Sequence, residues 1–237
     1  MDKTTYKSRV TFSDCDRMGR YKLSSALKTA SEIAGFDYVL KGFSHDFLLS
    51  KDMLFLVSQV SLKILSFPYD QQGFTVSTWE NGKKGALFLR GFEMLDENDE
   101  MLIQGLTGWV LINPKTHRIY RPIEFPYPQQ QLNEVFECVP LGKILYSNLV
   151  KLGERQVRYS DIDPNNHVNN AIYADIAVDV LPEEYLTCDL ENFRIIYCNQ
   201  ALLGDKIDLF GEKSENKYVI VGFIGDKLCF ETEFIFA

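Results

Sequence analysis

The chain has 237 residues, of which 46% are hydrophobic and 24% charged, so it can form one large globular domain or two small ones. A formal net charge of -8 argues against a general nucleic-acid binder, because neutralising phosphates requires a basic surface. The cysteines are scattered and include no C-x-x-C pair, and the N-terminus lacks the apolar core of a signal peptide. No apolar run is long enough to span a membrane. These features predict a cytoplasmic protein with no membrane span.

The first half of the chain predicts one helix followed by several strands. Apolar residues recur every three or four positions over 24–40, and Gly42 provides a stop signal, which indicates an amphipathic helix. Residues rich in Val, Leu, Ile, Phe and Thr then alternate with turn sequences such as Asn81-Gly82. These runs predict strands over 55–66, 73–79, 86–96 and 101–113.

The second half predicts the same order of elements. A segment over 120–145 holds four prolines and a run of three glutamines, 129–131, so we expect a linker there. Beyond it, apolar residues recur every four positions over 168–180, and Pro182 follows, which predicts a shorter helix. Further strands are predicted over 191–197, 206–210, 218–224 and 227–236.

The chain also repeats a motif. Residues 10–16 read Val-Thr-Phe-Ser-Asp-Cys-Asp and residues 157–163 read Val-Arg-Tyr-Ser-Asp-Ile-Asp, an offset of 163 − 16 = 147. Each copy precedes a helix and a set of antiparallel strands, and one helix can bury its apolar face only if the sheet wraps it. We therefore predict an α+β fold of two tandem units, 1–119 and 146–237, whose sheets join edge to edge.

The second copy of the motif carries the candidate chemistry. Asp163, Asn165 and His167 stand where the first copy has Asp16, Met18 and Arg20. An imidazole can transfer protons near neutral pH, a carboxylate can orient it, and an amide can bind a water or a carbonyl. The three side chains would face one side if the stretch were extended, and N–H groups at the following helix could stabilise an oxyanion. The alternative is an Asn-rich turn that only caps the helix.

These residues resemble a known family. Residues 161–170, together with Thr78-Trp79, residues 108–113 and Arg121-Pro122, are similar to the acyl-acyl carrier protein thioesterases. The resemblance covers most of the chain. It implies a double hot-dog fold and hydrolysis of fatty acyl chains from acyl carrier protein, which ends chain elongation. It also implies that no cofactor is needed and that the first unit supplies much of the acyl pocket; three histidines without paired spacing make a metal site improbable.

Carried over by position, the catalytic residues of the family fall on Asp163, Asn165 and His167, and a further acidic position falls on Gln200. Glutamine can orient a water but cannot act as a base, so either His167 or Asp163 is the base, or the alignment is shifted. Cys198 nearby is expected to be a buried thiol, and His45 and His117 to be solvated.

Three alternatives stay open at this point. The same fold could hydrolyse acyl-CoA or dehydrate carrier-bound acyl chains, and Gln200 in place of an acid leaves a non-catalytic acyl-binding protein as a third reading. A homodimer is a further possible assembly.

Overall fold

The computed structural model describes residues 3–129 and 132–237; residues 1–2 of the predicted first unit and residues 130–131 of the predicted linker lie outside it. The strands are β1 Thr4–Arg9, β2 Leu54–Ile64, β3 Gly73–Lys84, β4 Leu87–Leu95, β5 Met101–Ile112, β6 Ile119–Tyr120, β7 Val150–Gln156, β8 Leu190–Tyr197, β9 Lys206–Ser214, β10 Lys217–Ile224 and β11 Lys227–Phe236. The α-helices are α1 Leu23–Leu40, α2 His45–Ser50, α3 Ile172–Val178 and α4 Glu183–Leu186.

All these strands form one antiparallel sheet of two similar halves. The strand order is β1-β3-β4-β5-β2-β8-β11-β10-β9-β7, with β6 paired to β5 at one edge. Each half has its first strand at the outside and its second at the centre, where β2 pairs with β8 through contacts such as Val60 with Ile195. The predicted α+β double hot-dog, with sheets joined edge to edge, is confirmed.

Strand pairing preserves the sequence repeat. In the first half Ser8 on β1 pairs with Phe74 on β3, and in the second half Arg155 on β7 pairs with Ile207 on β9. Ser8 and Arg155 are separated by 155 − 8 = 147 positions, the offset of the motif. The two halves can therefore be matched residue by residue across their outer strands.

The core lies between the sheet and the helices. The predicted apolar face of α1 is buried against the sheet through Ala26, Leu27, Ala30, Ile33 and Ala34. Phe92, Phe193, Phe230 and Phe234 are almost fully buried side chains of the sheet. Each of these large side chains contributes about 1.5–3 kcal/mol by leaving water, so the shared core holds both halves together.

One predicted turn is a bulge. β3 continues through Asn81-Gly82 to Lys84, because the register shifts between Glu80 and Lys83, and the chain reverses after Lys84 instead. The bulge turns the buried Asn81 amide toward the segment that links the halves. Its side chain accepts the backbone N–H of Glu134 at 2.6 Å and donates to the Glu134 carbonyl at 2.9 Å.

The second half differs from the prediction in two places. α3 begins at Ile172, four residues later than predicted, because Val168 instead forms a bridge with Ile162 and donates its N–H to the Ala201 carbonyl. β9 continues past 210 through Gly211, where a side chain would lie 2.6 Å from Leu152 Cδ1. The missing side chain lets neighbouring residues close over this strand.

The segment between the halves packs on the sheet. Pro140 accepts a hydrogen bond from Arg194 at 3.2 Å, and Leu141 and Ile144 are buried. Within residues 3–129 and 132–237, no helix is long and apolar enough to cross a membrane.

Candidate active site

The second copy of the motif folds as a closed loop ahead of α3. Its 3₁₀ turn, Tyr159–Asp161, is held by the Asp161 carboxylate, which accepts the Arg158 N–H at 2.8 Å and the Arg155 guanidinium at 3.0 Å. The Asp163 N–H then donates to the His167 carbonyl at 3.0 Å and closes the loop. The stretch 163–167 is therefore a tight turn and not the extended strand that would place alternate residues on one side.

The turn brings Asp163 and His167 together. Their nearest atoms, Asp163 Oδ1 and His167 Nδ1, are 3.8 Å apart, and both side chains are more than four-fifths buried. The same imidazole nitrogen lies 3.5 Å from the Val168 carbonyl oxygen. The separation from the carboxylate is longer than a hydrogen bond.

Asn165 has a different position. Its backbone N–H donates to Asp163 Oδ1 at 2.8 Å, which fixes the carboxylate, while the residue itself is exposed. Asn166, next in the turn, has a left-handed φ of 64°, a conformation that asparagine tolerates well. The structure places Asn165 on the outer side of the turn and does not bring its side chain to the cavity that His167 lines.

That cavity, called here the junction cavity, has a volume of about 530 Å³ and lies between the two halves. The second half contributes His167, Asn170, Tyr173, Cys198, Asn199 and Gln200, and the first half contributes Leu56, Val57, Ser58, Val110, Ile112 and His117. His167 and Gln200, which are 33 positions apart in sequence, therefore line one cavity.

The exposure of Cys198 and the position of His117 in the cavity wall were not expected from the sequence. Cys198 is exposed and not a buried thiol, although burial of its sulfur and the nearby Glu231 charge raise its pKa to about 11, which keeps it protonated and a poor nucleophile. His117 is exposed as predicted, but it also lines the cavity from the turn before β6. No local sequence signal marks it, because only the pairing of the halves brings it near His167.

A second cavity, called here the helix cavity, has a volume of about 300 Å³ and lies between α1 and the first half of the sheet. Its lining is mainly apolar and includes Ala34, Val39, Phe43, Leu48, Phe55 and Phe88. Trp109 lines it as well, and Trp109 is the β5 partner of Val57, which lines the junction cavity. Two directly paired residues of β2 and β5 therefore line one cavity each.

The first copy of the motif has the same loop but different side chains. The Asp16 N–H donates to the Arg20 carbonyl at 2.8 Å, as Asp163 does to His167 at positions 147 higher. Arg20, however, forms an ion pair with Asp16 at 3.0 Å and donates to the Leu186 carbonyl at 2.7 Å in the second half. The degenerate loop thus has a guanidinium engaged in structural contacts where the other has an imidazole.

Comparison with protein families finds two matching domain models. The model described as the acyl-ACP thioesterase N-terminal domain matches residues 1–124, and the model described as the acyl-ACP thioesterase C-terminal domain matches residues 150–224. Together they cover both halves of the fold.

Curated sequences and solved structures give similar matches. A chloroplastic palmitoyl-acyl carrier protein thioesterase of Cuphea hookeriana is 26% identical over 155 residues, which is 59% of this chain and 36% of that protein. The match thus spans about a third of the length of the plant protein.

An acyl-ACP thioesterase from Bacteroides thetaiotaomicron superposes with a TM-score of 0.86 at 22% identity, covering 98% of this chain and 97% of its own. A 12:0-ACP thioesterase from Umbellularia californica superposes with a TM-score of 0.84 at 15% identity, covering 100% and 98%. Both structures share the fold.

Proposed function

The chain belongs to the acyl-acyl carrier protein thioesterase family, and from that premise we propose that it hydrolyses the thioester of fatty acyl-acyl carrier protein. The products are a free fatty acid and the carrier thiol, and their release ends chain elongation. The relatives named above support acyl carrier protein as the donor. The observation that carries the proposal is the placement of His167 in a cavity whose wall residue Val57 pairs directly with Trp109 of a mainly apolar cavity.

In this proposal the acyl chain lies in the helix cavity and the thioester in the junction cavity. The first unit, 1–119, then binds the chain, the second, 146–237, carries out the chemistry, and residues 120–145 link them. The mainly apolar lining of the helix cavity suits a hydrocarbon chain, since transferring apolar surface out of water is favourable.

His167 acts as the base. Its Nδ1 is directed at Asp163 and the Val168 carbonyl, so Nε2 is the nitrogen available to a water in the junction cavity. The water gives a proton to Nε2 as its oxygen attacks the thioester carbonyl, and the imidazolium returns the proton to the departing thiolate. Asp163 stabilises the imidazolium, and Asn165 positions Asp163 through its N–H.

The negative charge of the tetrahedral intermediate needs a donor on the cavity wall. The backbone N–H of Asn170 has no acceptor within residues 3–129 and 132–237, and Asn170 lines the junction cavity. We assign it as the oxyanion donor, a role in which one hydrogen bond is worth about 10²–10³ in rate. Gln200, on the same wall, orients the attacking water through its side-chain amide.

The experiment is a thiol-release assay with acyl carrier protein and CoA thioesters of the same chain lengths, with the organic product identified. Free acid released faster from the carrier protein supports the proposal. Faster release from CoA favours an acyl-CoA thioesterase, and a 2-enoyl product indicates a dehydratase. Thioesters that bind and stay intact would identify a non-catalytic acyl-binding protein.

A cytoplasmic location and a homodimer also stay predictions. All five cysteines are free thiols, which supports a reducing compartment. Fractionation of cells and light scattering of the purified chain test the two points separately.

A further inference from the structure

A buried group of charged side chains lies at one end of the helix cavity. Arg90 Nη1 is 2.7 Å from Asp37 Oδ2, which Lys41 also contacts at 2.9 Å. Glu80, the β3 partner of Arg90, is 3.5 Å from the Lys41 ammonium. Arg90 and Glu80 are only 4% and 7% exposed, so most of both side chains is removed from bulk water.

Two polar atoms of this group have no protein partner. Arg90 Nη2 and Glu80 Oε2 are buried and make no hydrogen bond within the part of the chain that the structure describes. Both residues line the helix cavity. Leaving a buried donor or acceptor unpaired is costly, so a ligand that satisfies both atoms gains affinity from a site that is already formed.

The second half shows that the fold does not need this group. Ile207 on β9 corresponds to Phe74 on β3, so Lys213 corresponds to Glu80, six positions further along each strand. The partner of Lys213 on β10 is Tyr218, which therefore corresponds to Arg90.

The corresponding positions form no buried ion group. Tyr218 packs against Tyr185 with ring centroids 5.4 Å apart, and the Lys213 side chain is 56% exposed. The second half thus has an aromatic pair at the positions where the first half has buried charges. Arg90 holds α1 on the sheet through Nη1, which contacts Asp37, while Nη2 has no hydrogen bond among the described residues.

The chemistry of the two unpaired atoms defines the ligand group. Arg90 Nη2 can only donate a hydrogen bond, and a carboxylate oxygen of Glu80 can only accept one. A hydroxyl both accepts and donates, so it can satisfy both atoms at once, whereas a ketone or a plain hydrocarbon cannot. Arg90 lies two residues along β4 from Phe88, whose partner Trp109 is in turn the partner of Val57 on the wall of the junction cavity. The site is therefore about 7 Å further along the strand than that pair.

We propose that Arg90 and Glu80 recognise a hydroxyl group carried on the acyl chain, away from the thioester. The inference rests on the proposed function, because it places the chain in the helix cavity. It makes the enzyme selective for hydroxylated acyl thioesters over plain ones of the same length.

The test compares kcat/KM for carrier-protein thioesters of one chain length, either plain or with a single hydroxyl placed at successive carbons. We expect one position to be favoured over the plain chain by at least about tenfold, because a site built to bind a hydroxyl discriminates against analogues that lack it. Similar rates within twofold at every position, for thioesters that are hydrolysed, overturn the inference and leave the proposed function intact.

Variants connect the preference to the two residues. Arg90→Lys keeps a cation near Asp37 and removes Nη2, and Glu80→Gln keeps the shape and removes the charge. Each should lower the ratio of hydroxylated to plain kcat/KM at least about fivefold. Lys213→Gln, at the matching position of the second half, is the control and should leave the ratio unchanged.

An unchanged ratio in both well-folded variants would also contradict the inference. If no thioester is hydrolysed at all, the proposed function fails, and calorimetry with free hydroxylated and plain fatty acids decides the inference instead. Equal affinities of the wild-type chain for the two acids would then overturn it.

Discussion

The two halves of this molecule share a strand order and an entry loop, yet they differ in what lies between helix and sheet. In the first half, the 18-residue α1 leaves a cavity beside the strands. In the second half, α3 has only seven residues, and Tyr185 packs on Tyr218 and Phe236 in the matching space. The half that retains the polar loop has aromatic side chains in that space, and the half that retains the helix cavity has lost the loop chemistry.

This difference explains why the candidate site needs both halves. A long helix can stand away from part of its sheet and leave room for a chain, whereas a short helix with aromatic neighbours gives a rigid support for the His167 loop. Because β2 and β8 pair at the centre, residues of the first half line the same cavity as His167 of the second. Under the proposed function, the two units of one sheet thus divide binding and catalysis between them.

The largest expected effect compares His167 with Arg20, its counterpart in the first loop. His167→Ala should lower kcat/KM for acyl-acyl carrier protein by about 100-fold, since it removes the general base. Arg20→Ala should change kcat/KM less than twofold while lowering the melting temperature, because the Arg20 guanidinium binds Asp16 and the Leu186 carbonyl and is not on the wall of the junction cavity. Equal losses of activity in the two variants would show that the first loop takes part in catalysis.

The next effect compares the carboxylates that hold the two loops. Asp161 is 5% exposed and paired with Arg155, whereas Ser8 stands at the position matching Arg155, so Asp14 has no equivalent partner. Asp161→Asn should cost about 2 kcal/mol of unfolding free energy, and Asp14→Asn within about 0.5 kcal/mol. Denaturant unfolding measures both, and a larger loss for Asp14→Asn would mean that the first loop is the more tightly held.

A smaller effect depends on pH and involves the charges found only in the first half. Burial alone would raise the pKa of Asp37, but the Arg90 charge and hydrogen bonds from Lys41 and Thr4 outweigh it and hold the pKa below its ordinary 3.8. The Asp37 carboxylate therefore contributes its full stabilisation at pH values above the ordinary 3.8. It loses this contribution as the pH falls through the lowered pKa.

The variant Asp37→Asn isolates that contribution. Its melting temperature should fall less between about pH 6 and about pH 3 than that of the wild type. Burial raises the pKa of Glu80, so protonation of Glu80 on acidification favours the folded state. Because Glu80 is present in both proteins, it does not account for a difference between them. An identical fall in the two proteins would show that Asp37 does not contribute to acid sensitivity.

The smallest expected effect concerns Gln200. Gln200→Glu adds a carboxylate to the junction cavity and should change kcat several-fold while adding an acidic limb to the pH–rate profile, since a glutamate can act as a base only when ionised. Gln200→Ala should lower kcat about tenfold without a new limb. If the pH–rate profile of Gln200→Glu is the same as that of the wild type, Gln200 does not contact the reacting groups.

Periodicity predicted most of the secondary structure because it depends on local burial. Strand β11 was predicted with its observed bounds, and α1 within one residue. The misses are positions where tertiary contacts override local chemistry. Asn81-Gly82 has the composition of a turn but forms a bulge, since Asn81 binds Glu134 across the chain.

The candidate site was only partly predictable for the same reason. The motif marked Asp163 and His167, which lie four residues apart and meet within one turn. It could not indicate that Asn165 is exposed and absent from the wall of the junction cavity, because an extended stretch and a tight turn fit the same sequence. Cys198 and His117 were assigned no place in the cavity, since its walls come from strands of both halves.

The sequence by itself therefore determined the repeat, the two helix–sheet units, the family and the loop that carries His167, because these depend on composition, spacing and short motifs. Only the tertiary structure decided which residues meet: the pairing of β2 with β8, the residues of both halves that line the junction cavity, and the burial of Arg90 Nη2 and Glu80 Oε2 without a hydrogen bond among the described residues. The physical reason is that burial and pairing are set by residues distant in the chain, whereas periodicity reports only which side of an element is apolar.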